Sequence, residues 1–304
     1  MKRINAPSLA VIIPVFNGMP FLPEAVESVF SQSVTNFRLY LIDDRSVDRS
    51  VDFIHSITDP RVTYSQNPRN MGLYPSLVRA IQRCKEEWIC ILMQDDYLYP
   101  SYLAEMSSLI EKYTDIPLIW ATEDVINHLG ERLRHGRSSS REERIQPGPE
   151  AWRNVLYSGC IWTISGSMTR RQLYLAEPFR GDLPHRGDYE WFLRVIRRYK
   201  CLYYEKSLLA LRSHAQQASA THLAAGIDIC ETVAIFKDQF IRHRSDLTVA
   251  HALCIVSRYT RMIARRAIRF ICHKDLSKAS KVCADGCELI GLLITYKFRK
   301  AESG

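Results

Sequence analysis

Two adjacent aspartates, Asp95 and Asp96, stand one residue after an apolar run of strand length at 88–93. Neighbouring carboxylates repel each other unless a cation or strong hydrogen-bond donors lie between them. Carboxylate oxygens at the end of a strand suit Mg²⁺ or Mn²⁺, which commonly bridges to the phosphates of a substrate. The alternative is structural, because aspartate also caps helices and a helix is predicted after Pro100. The residues alone leave both interpretations open.

A second aspartate pair, Asp43 and Asp44, follows the apolar run at 37–42 in the same way. A carboxylate at this strand end can accept hydrogen bonds from a nucleobase or a ribose. Ser46 and Asp48 nearby also suit a turn or a helix cap. A phosphoacceptor pocket of the receiver type is disfavoured, because in that fold the acidic pair follows the first strand and here it follows the second.

Strand-like and helix-like segments alternate through the first half of the chain. Strand-like segments lie at 9–15, 37–42, 61–65, 88–93 and 118–126, and helical patterns lie between them. Such alternation predicts βαβ crossovers, and with them an α/β fold with a mostly parallel sheet and helices on both faces. Ligands of such sheets bind outside the carboxyl ends of the strands. Both aspartate pairs are therefore expected at the ligand-binding edge.

The second half of the chain is less regular. The polar segment 134–149 contains three consecutive serines and several charges, and it predicts a mobile surface loop able to cover a site. From 152 to 219 the periodicity is mixed, with one clear helix that begins near Asp188 and buries Tyr189 and Leu193. Loops of this kind shape a pocket, so the ligand specificity of any site here is not predictable from the sequence.

The composition is that of a folded protein. Of the 304 residues, 46% are hydrophobic and 24% are charged, which excludes wholesale disorder. The nine cysteines are irregularly spaced and include no CxxC pair, which disfavours a disulfide scaffold or a zinc module and suits a reducing compartment. Residues 1–7 hold no apolar segment with a cleavage site, and no apolar window of 18 residues is free of charge. Neither a signal peptide nor a membrane-spanning helix is expected.

Five short motifs occur in an order that resembles family 2 glycosyltransferases. They are VIIPVFN at 11–17, ESVFSQS at 27–33, IDDRSVD at 42–48, NPRNMG at 67–72 and QDD at 94–96. The resemblance covers residues 8–130 strongly and continues more loosely to 219. It implies the GT-A fold, a nucleotide-sugar donor and inversion at the anomeric carbon of the transferred sugar.

The resemblance also implies roles for residues near the nucleobase of the donor. The loop that lines the nucleobase pocket matches Pro14, Phe16 and Asn17. The acid that hydrogen-bonds the base matches Asp44. Arg45 replaces a frequent glycine of the family and is expected to face solvent.

At the other end of the donor, Asp95 matches the residue near the ribose and Asp96 matches the metal-binding carboxylate of the DxD motif. Gln94 departs from the family, because it stands where the first acid of that motif often stands. Mn²⁺ or Mg²⁺ remains the expected cofactor. Residues 212–219 resemble the R-x-H-x-x-Q-x-S element of the family, in which His214 is expected to bind the metal or the pyrophosphate.

Residues 186–194 resemble the family's E-D-Y-D-x-W-L-R stretch, with Gly187 in place of the first acid. Inverting transfer needs a general base that takes the proton of the acceptor hydroxyl as this group attacks. Asp188 matches that base, and a helix cap at the same residue is a structural alternative compatible with catalysis. Glu190 and Trp191 are expected to support the base or to contact the acceptor sugar.

The net charge of +8 is concentrated in the C-terminal tail, which has 14 Lys+Arg and 8 Asp+Glu from residue 224 on. An amphipathic helix is predicted at 248–272 and a second helix at 279–298. The apolar stripe of the first contains Leu253, Val256, Ile263, Ala267 and Phe270, and its basic stripe contains Arg258, Arg261, Arg265 and Arg269. Such helices either pack on the catalytic domain or dock on an anionic membrane surface. Nucleic acid is not an expected partner, because the tail lacks aromatic residues interleaved with basic ones.

These features predict a catalytic domain at 1–223, with a donor half at 1–130 and an acceptor half at 131–223, and a basic helical segment at 224–304. The expected enzyme is cytoplasmic and peripheral to the inner face of the cell membrane. It moves a sugar from a nucleotide-sugar, a UDP-sugar in particular, to a hydroxyl of a glycan acceptor that can be lipid-linked, in the synthesis of a bacterial surface polysaccharide.

Two alternatives to this function stay open. A nucleotidyltransferase of similar fold needs a phosphate loop rich in Gly and Lys or Arg after the first strand, which residues 17–20 do not provide. A catalytically inactive scaffold that binds a nucleotide or a glycan has the same sequence signals, and binding without turnover distinguishes it from an enzyme.

Overall fold

A computed structural model describes residues 7–136, 142–160, 162–272, 274–284, 286–287 and 291. The chain divides into two compact units. The first comprises the chain up to Gly148 together with Trp162–His214, and the second comprises 149–160 and the described residues from Ala215 onward. The sequence suggested a boundary near residue 223, whereas the contacts divide the chain at His214.

Strands and helices alternate from the first described residues. The first half contains β1 (Leu9–Val15), α1 (Leu22–Phe30), β2 (Phe37–Asp43), α2 (Ser50–His55), β3 (Val62–Gln66), α3 (Leu73–Arg83), β4 (Trp88–Ile91), β5 (Tyr97–Leu98), α4 (Tyr102–Lys112), β6 (Leu118–Ile126), β7 (Arg132–Arg134) and β8 (Glu143–Gln146). The second contains α5 (Gly148–Ser158), β9 (Ser167–Arg170), α6 (Arg171–Ala176), α7 (Gly187–Arg198), β10 (Cys201–Arg212), α8 (Ala218–Ala225), α9 (Ile227–Arg242), a 3₁₀ turn (Arg244–Asp246) and α10 (Val249–Cys272). The predicted α/β class is confirmed.

One sheet forms the centre of the first unit, with its strands in the order β3-β2-β1-β4-β9-β6-β10-β5. Strand β1 is parallel to β2 and β4, and β2 is parallel to β3. Strand β9 runs antiparallel to both β4 and β6, and β10 is parallel to β6. Strands β1, β2, β3, β4, β6 and β10 therefore point the same way, and their carboxyl ends meet at one edge.

The core explains why these segments are strands. All seven residues of β1 and all four of β4 are buried, as expected for parallel strands covered on both faces. Helix α1 packs an apolar face on the sheet through Leu22, Val26 and Val29, each 2% exposed or less. The continuous apolar runs in the sequence thus reflect burial of both faces of the strands, and the mostly parallel sheet is confirmed.

The segment 134–149, predicted to be a mobile loop, contains a strand. Residues 143–146 form β8, which pairs antiparallel with residues 201–204 of β10, while 137–141 lie outside the described residues. The prediction is wrong for β8, because the backbone hydrogen bonds of the neighbouring strand override a polar local composition. The pairing of β10 with β6 also contains irregularities between Tyr204 and Leu209.

The second unit is helical, and α10 presents one buried and one exposed face within it. Val256, Ile263, Ala267 and Phe270 are buried as predicted, whereas Leu253 is 54% exposed. Residues 276–284 continue as helix, and most of the second predicted helix, 279–298, lies outside the described residues. None of the helices in the described part of the chain is long and apolar enough to cross a membrane.

Candidate active site at the carboxyl edge of the sheet

The carboxyl edge of the sheet brings together five residues that the sequence singled out. Phe16 follows β1, Asp44 follows β2, Asp95 and Asp96 follow β4, and His214 follows β10. Parallel strand order alone accounts for this, because every one of these strands ends at the same edge. The positions at which the sequence patterns changed from apolar to acidic are therefore the positions that meet in space.

Asp95 and His214 form a partly exposed polar pair at this edge. Nε2 of His214 lies 3.1 Å from Oδ2 of Asp95, and the two side chains are 12% and 18% exposed. The imidazole packs against the ring of Phe21, with centroids 4.7 Å apart. A carboxylate beside an imidazole, each partly exposed, can bind a divalent cation, and an oxyanion can bind through that cation.

Asp96 is an interior residue, with 6% of its surface exposed. Its Oδ1 accepts the backbone N–H of Arg212 at 2.9 Å. Burial raises the pKa of Asp96 to about 8, the charge of Asp95 adds to that effect, and hydrogen bonds from Ser165 and Arg212 oppose it. The geometry therefore favours Asp95, and not Asp96, as the carboxylate that meets a ligand.

Arg212 fixes this corner of the edge, a role that the sequence did not reveal. Its guanidinium donates to the backbone carbonyls of Asp95 at 3.0 Å and Asn127 at 3.2 Å and pairs with Glu24. It also stacks on Phe21, 4.8 Å from the ring centroid. Since the side chain is 3% exposed, its positive charge interacts with these protein groups. The available sequence signal was the position of this arginine, two residues before His214 in the R-x-H-x-x-Q-x-S element.

Gln94 holds the loop that follows β1. Its Oε1 accepts the backbone N–H of Phe16 at 2.9 Å, and its Nε2 donates to the carbonyl of the same residue at 3.0 Å. A Cβ on Gly18 would lie 2.7 Å from Oε1 of Gln94, so the glycine makes room for the amide. An acid at position 94 has no donor for the carbonyl, which gives a physical reason for the departure from the usual motif.

The loop after β1 is bound to the loop after β2. Asn17 adopts a left-handed backbone with φ 50°, donates its N–H to Oγ of Ser46 at 2.9 Å and accepts the N–H of Val47 through Oδ1 at 2.8 Å. Phe16 leaves 45% of its surface exposed. Pro14 lies buried inside β1, so it supports the loop from beneath and does not belong to it.

Asp44 organises the loop 67–72. Its carboxylate accepts hydrogen bonds from Nδ2 of Asn67 and from the backbone amides of Met71 and Gly72, each at 2.8 Å. The residue is 5% exposed. The sequence related Asp44 to a nucleobase; the contacts present are to this loop, and through it Asp44 positions the start of α3.

Asp43 and Arg45 stabilise the neighbouring turn. Asp43 is fully buried and accepts the backbone N–H of Ser46 at 3.1 Å, the turn role that the sequence left open. Arg45 has a left-handed backbone with φ 68° although it is not glycine. It is exposed, as expected, but its guanidinium donates to Gln66 at 2.9 Å and to the carbonyl of Pro68 at 3.1 Å. It thereby connects the turn after β2 to the end of β3.

Asp188 lies in the first turn of α7, half-buried, and accepts the backbone N–H of Tyr189 at 2.7 Å. The hydroxyl of Tyr74 donates to its Oδ1 at 3.2 Å. Burial raises the pKa of Asp188, and hydrogen bonds from Tyr189 and Tyr74 with the charge of Arg186 lower it in part. A carboxylate with a raised pKa is suited to accept a proton near neutral pH. Nothing in the sequence indicated the partner, Tyr74.

Glu190 and Trp191 support α7 from inside the protein. Glu190 is 2% exposed and accepts Nε of Arg194 at 2.8 Å. Trp191 has no exposed surface, and its indole N–H donates to the carbonyl of Glu177 at 2.6 Å. Of the two roles expected for this pair, support fits the structure, because an acceptor sugar cannot touch side chains that are buried among protein neighbours.

Comparisons with known proteins bear on the family and the fold of this chain. The model of the family described as "Glycosyl transferase family 2" matches residues 10–174. The chain is 28% identical over 199 residues to an uncharacterised protein, y4gI, of Sinorhizobium fredii, covering 64% of this chain and 21% of that protein. It is 24% identical over 223 residues to an uncharacterised glycosyltransferase of Rickettsia felis, covering 71% and 36%. The chain thus spans between a fifth and two fifths of the length of these relatives.

A relative of named function is the chondroitin synthase of Escherichia coli, 24% identical over 197 residues that cover 64% of this chain and 27% of that protein. Among solved structures, S. aureus TarS 1–349 in complex with UDP-GlcNAc has a TM-score of 0.59 at 14% identity and covers 90% of both chains. GalNAc-T7 with UDP, GalNAc and Mn²⁺ has a TM-score of 0.55 at 17% identity, covering 69% of this chain and 45% of that one. These likenesses confirm the predicted GT-A fold. Since the family match extends over more than half of the residues, the chain belongs to glycosyl transferase family 2.

Proposed function

We propose that this protein transfers a sugar from a UDP-sugar, with inversion at the anomeric carbon, to a hydroxyl of a glycan acceptor. The proposal rests above all on Asp188, a carboxylate whose pKa is raised by burial. Tyr74 hydrogen-bonds this carboxylate from the start of α3, the same helix start that Asp44 positions. Membership of the family supports sugar transfer, and the UDP-GlcNAc and UDP of the TarS and GalNAc-T7 structures support a uridine nucleotide. The chondroitin synthase relative supports a polysaccharide product, and we propose that this product is a bacterial surface glycan.

On this proposal the donor nucleotide lies along the carboxyl edge. The exposed ring of Phe16 offers a face to the uracil, and Asn17 and Asp44 frame the pocket beside it. The ribose and the diphosphate extend towards Asp95, where the exposed side of the Asp95–His214 pair is open to them. Gln94 and Arg212 touch neither and hold the backbone on which these residues stand.

The chemical step assigned to Asp188 is removal of a proton. As the acceptor oxygen forms its bond to the anomeric carbon, the bond from that carbon to the diphosphate oxygen breaks and the hydroxyl proton moves to the Asp188 carboxylate. Attack from the side opposite the leaving group inverts the configuration. The raised pKa of Asp188 brings the base closer to the working pH and improves proton transfer.

The residues present fit a divalent cation at the diphosphate. A carboxylate oxygen and an imidazole nitrogen 3.1 Å apart offer the ligand types that Mn²⁺ accepts, and Mg²⁺ and Mn²⁺ take further ligands from substrate phosphates. Within the described ranges no group of three or more His, Cys, Asp or Glu side chains is placed to hold a metal by itself, and substrate phosphates would supply further ligands. Asp95 and His214 would hold the cation, with Asp96 beneath, and it would offset the charge of the departing diphosphate.

We further propose that the second unit docks on an anionic membrane surface, at the cytoplasmic face where a lipid-linked acceptor would lie. Its helix α10 exposes Ile268 at 60% and Ile271 at 52% beside the exposed arginines 265 and 269. A helix face that mixes apolar and basic side chains binds lipid headgroups and the acyl boundary below them.

The decisive test is calorimetric titration of the protein with UDP, GDP, CDP and dTDP, each with and without Mn²⁺. Preferential binding of UDP that strengthens with Mn²⁺ is the expected result. Tight binding without release of UDP from any UDP-sugar, in the wild type and in Asp188→Asn alike, would favour an inactive scaffold. Binding of none of the four nucleotides contradicts the proposed donor.

A further inference from the structure

Tyr74 occupies the space that a side chain at position 187 would need. It lies in the first turn of α3, is 3% exposed and packs on Phe179, with ring centroids 5.6 Å apart. A Cβ on Gly187 would lie 2.6 Å from Cε2 of the Tyr74 ring. Gly187 is therefore required by the neighbouring ring, and an acid cannot stand there while Tyr74 keeps its place.

The hydroxyl of Tyr74 is aimed at the Asp188 carboxylate. It donates to Oδ1 of Asp188 at 3.2 Å, and the carbonyl of His185, 3.5 Å away, is its second acceptor. Among the described residues, the other groups that act on the charge of Asp188 come from its own segment, the backbone N–H of Tyr189 and the guanidinium of Arg186. Each favours the ionised carboxylate, against the burial that disfavours it.

Tyr74 is itself held from two directions. Phe179, which packs at a tilt on the Tyr74 ring, packs in turn on Trp191, with centroids 5.2 Å apart. The start of α3 is fixed by the hydrogen bond from the backbone of Gly72 to Asp44. The hydroxyl cannot leave the carboxylate without disturbing either the aromatic cluster or the loop at the donor edge.

We infer that Tyr74 is a positioning residue for the proposed general base: its hydroxyl orients the Asp188 carboxylate and keeps it in the ionised form, in the space that the first acid of the family motif would fill. The inference rests on the proposed function, in which Asp188 takes the proton. It assigns a contribution to catalysis to a residue of the donor-side helix α3, 114 positions away along the chain.

The test compares Tyr74→Phe with a matched control, Tyr204→Phe. Both variants keep a buried ring and lose one hydroxyl that donates to a carboxylate, but Tyr204 donates to Glu105, far from the edge. The pKa of Asp188 is measured from its ¹³Cγ shift in aspartate-labelled protein, assigned by the signal missing in Asp188→Asn. Loss of one hydrogen bond to the charged form is expected to raise it by about half a unit to one unit. The rate at which UDP is released from UDP-GlcNAc by hydrolysis falls at low pH, and in Tyr74→Phe this fall should move to higher pH by the same amount as the pKa.

The control is expected to leave both the titration and the pH profile unchanged. Gly187→Ala is a second route to the same result, because its methyl group must push the Tyr74 ring and weaken the hydrogen bond without touching the hydroxyl. An Asp188 pKa in Tyr74→Phe and Gly187→Ala equal to that of the wild type overturns the inference.

The two proposals fail in different ways. If Asp188→Asn releases UDP at the rate of the wild type, Asp188 is not the base, and the proposed function falls together with the role of Tyr74. If Asp188→Asn is inactive while Tyr74→Phe keeps the wild-type titration and pH profile, only the positioning role is wrong.

Discussion

The carboxamide of Gln94 binds both polar atoms of the Phe16 backbone, accepting its N–H at 2.9 Å and donating to its carbonyl at 3.0 Å. The strands that carry the two residues are neighbours in the sheet, yet the residues themselves lie beyond the strand ends, where no ladder hydrogen bonds hold them. The side chain thus continues the pairing of β1 with β4 into the loops and fixes the direction in which the exposed Phe16 ring points.

Gln94→Glu is expected to weaken UDP binding. The carboxylate loses the donor to the Phe16 carbonyl and repels that oxygen, which together cost about 1.4 kcal/mol, or about tenfold in affinity. Isothermal titration with UDP measures this. Gln82→Glu makes the same charge change on an exposed face of α3 and should bind UDP like the wild type. Equal affinity of the two variants would show that Gln94 does not govern the pocket.

Asp95→Asn is expected to remove most of the effect of Mn²⁺ on UDP affinity, because the amide is a poor ligand for a hard cation. The measurement is the ratio of UDP dissociation constants with and without Mn²⁺. Asp59→Asn, at the opposite edge of the sheet before β3, should keep the wild-type ratio. If Asp96→Asn abolishes the ratio while Asp95→Asn preserves it, the ligand is Asp96 after all.

Asp188→Asn is expected to bind UDP normally and to lose turnover by about 10²- to 10⁴-fold, the usual contribution of a general base. In the wild type, the rate should fall as the pH drops through the pKa of Asp188, at a higher pH than for an exposed aspartate, since burial raises this pKa. The residual rate of Asp188→Asn should show no such fall at low pH. Asp182→Asn, on an exposed aspartate whose pKa is lowered by Arg180, should show the wild-type rate and profile.

The raised pKa of Asp188 also has a consequence for stability. A group whose pKa is higher in the folded than in the unfolded chain binds more protons when folded, so its contribution falls as the pH rises between the two values. Asp188→Asn should therefore unfold at a higher temperature than the wild type at pH 8, and this advantage should shrink towards pH 4. Thermal unfolding at both pH values tests it, and an advantage equal at both would contradict the assigned sign.

Arg212→Lys is expected to destabilise the first unit by about 2 to 4 kcal/mol, because an ammonium cannot replace the buried guanidinium at several carbonyls and Glu24 at once. Arg134→Lys, whose side chain is 63% exposed and meets Glu123 through one contact at 3.1 Å, should cost about 1 kcal/mol or less. Guanidinium chloride unfolding followed by tryptophan fluorescence compares them. Similar denaturant midpoints for the two variants would contradict this stabilising role of Arg212.

Binding to vesicles tests the role proposed for α10. The wild type should sediment with vesicles containing phosphatidylglycerol and not with pure phosphatidylcholine, and added salt should weaken the binding. Ile268→Asp removes exposed apolar surface from the helix face and should reduce sedimentation, while Ile145→Asp, 48% exposed on β8, should not. Equal sedimentation of both variants rules out this face of α10 as the contact.

The sheet and its acidic edge could be predicted because their signals are local. Continuous apolar runs mark strands buried on both faces, and the change from apolar to acidic residues marks where β2 and β4 end. The residues that complete the site could not be predicted in this way. Gln94 acts on a residue 78 positions away, and Arg212 donates its backbone N–H to one 116 positions away. Glutamine and arginine occur in many local environments, so the contacts of Gln94 and Arg212 depend on the fold.

The strand β8 was missed for a related reason. The segment 143–146 has two exposed residues between two of intermediate burial and a mostly polar composition, which is also that of a loop. Its strand conformation comes from the four-residue pairing with β10, a partner more than 50 residues later. The roles of Glu190 and Trp191 were likewise undecided in the sequence until burial showed which neighbours they meet.

The irregular pairing of β10 between Tyr204 and Leu209 bears on how this protein can vary in length. Beyond Leu209 the strand is in regular register with β6 up to Arg212, so one inserted or deleted residue there would turn every following side chain of the strand to the opposite face and move His214 away from Asp95. Within 204–209, a bulge can absorb such a change. Homologous chains that differ in the number of residues along this strand should therefore differ at the irregularity, and the arginine–histidine end should keep its spacing from the last regular pairs.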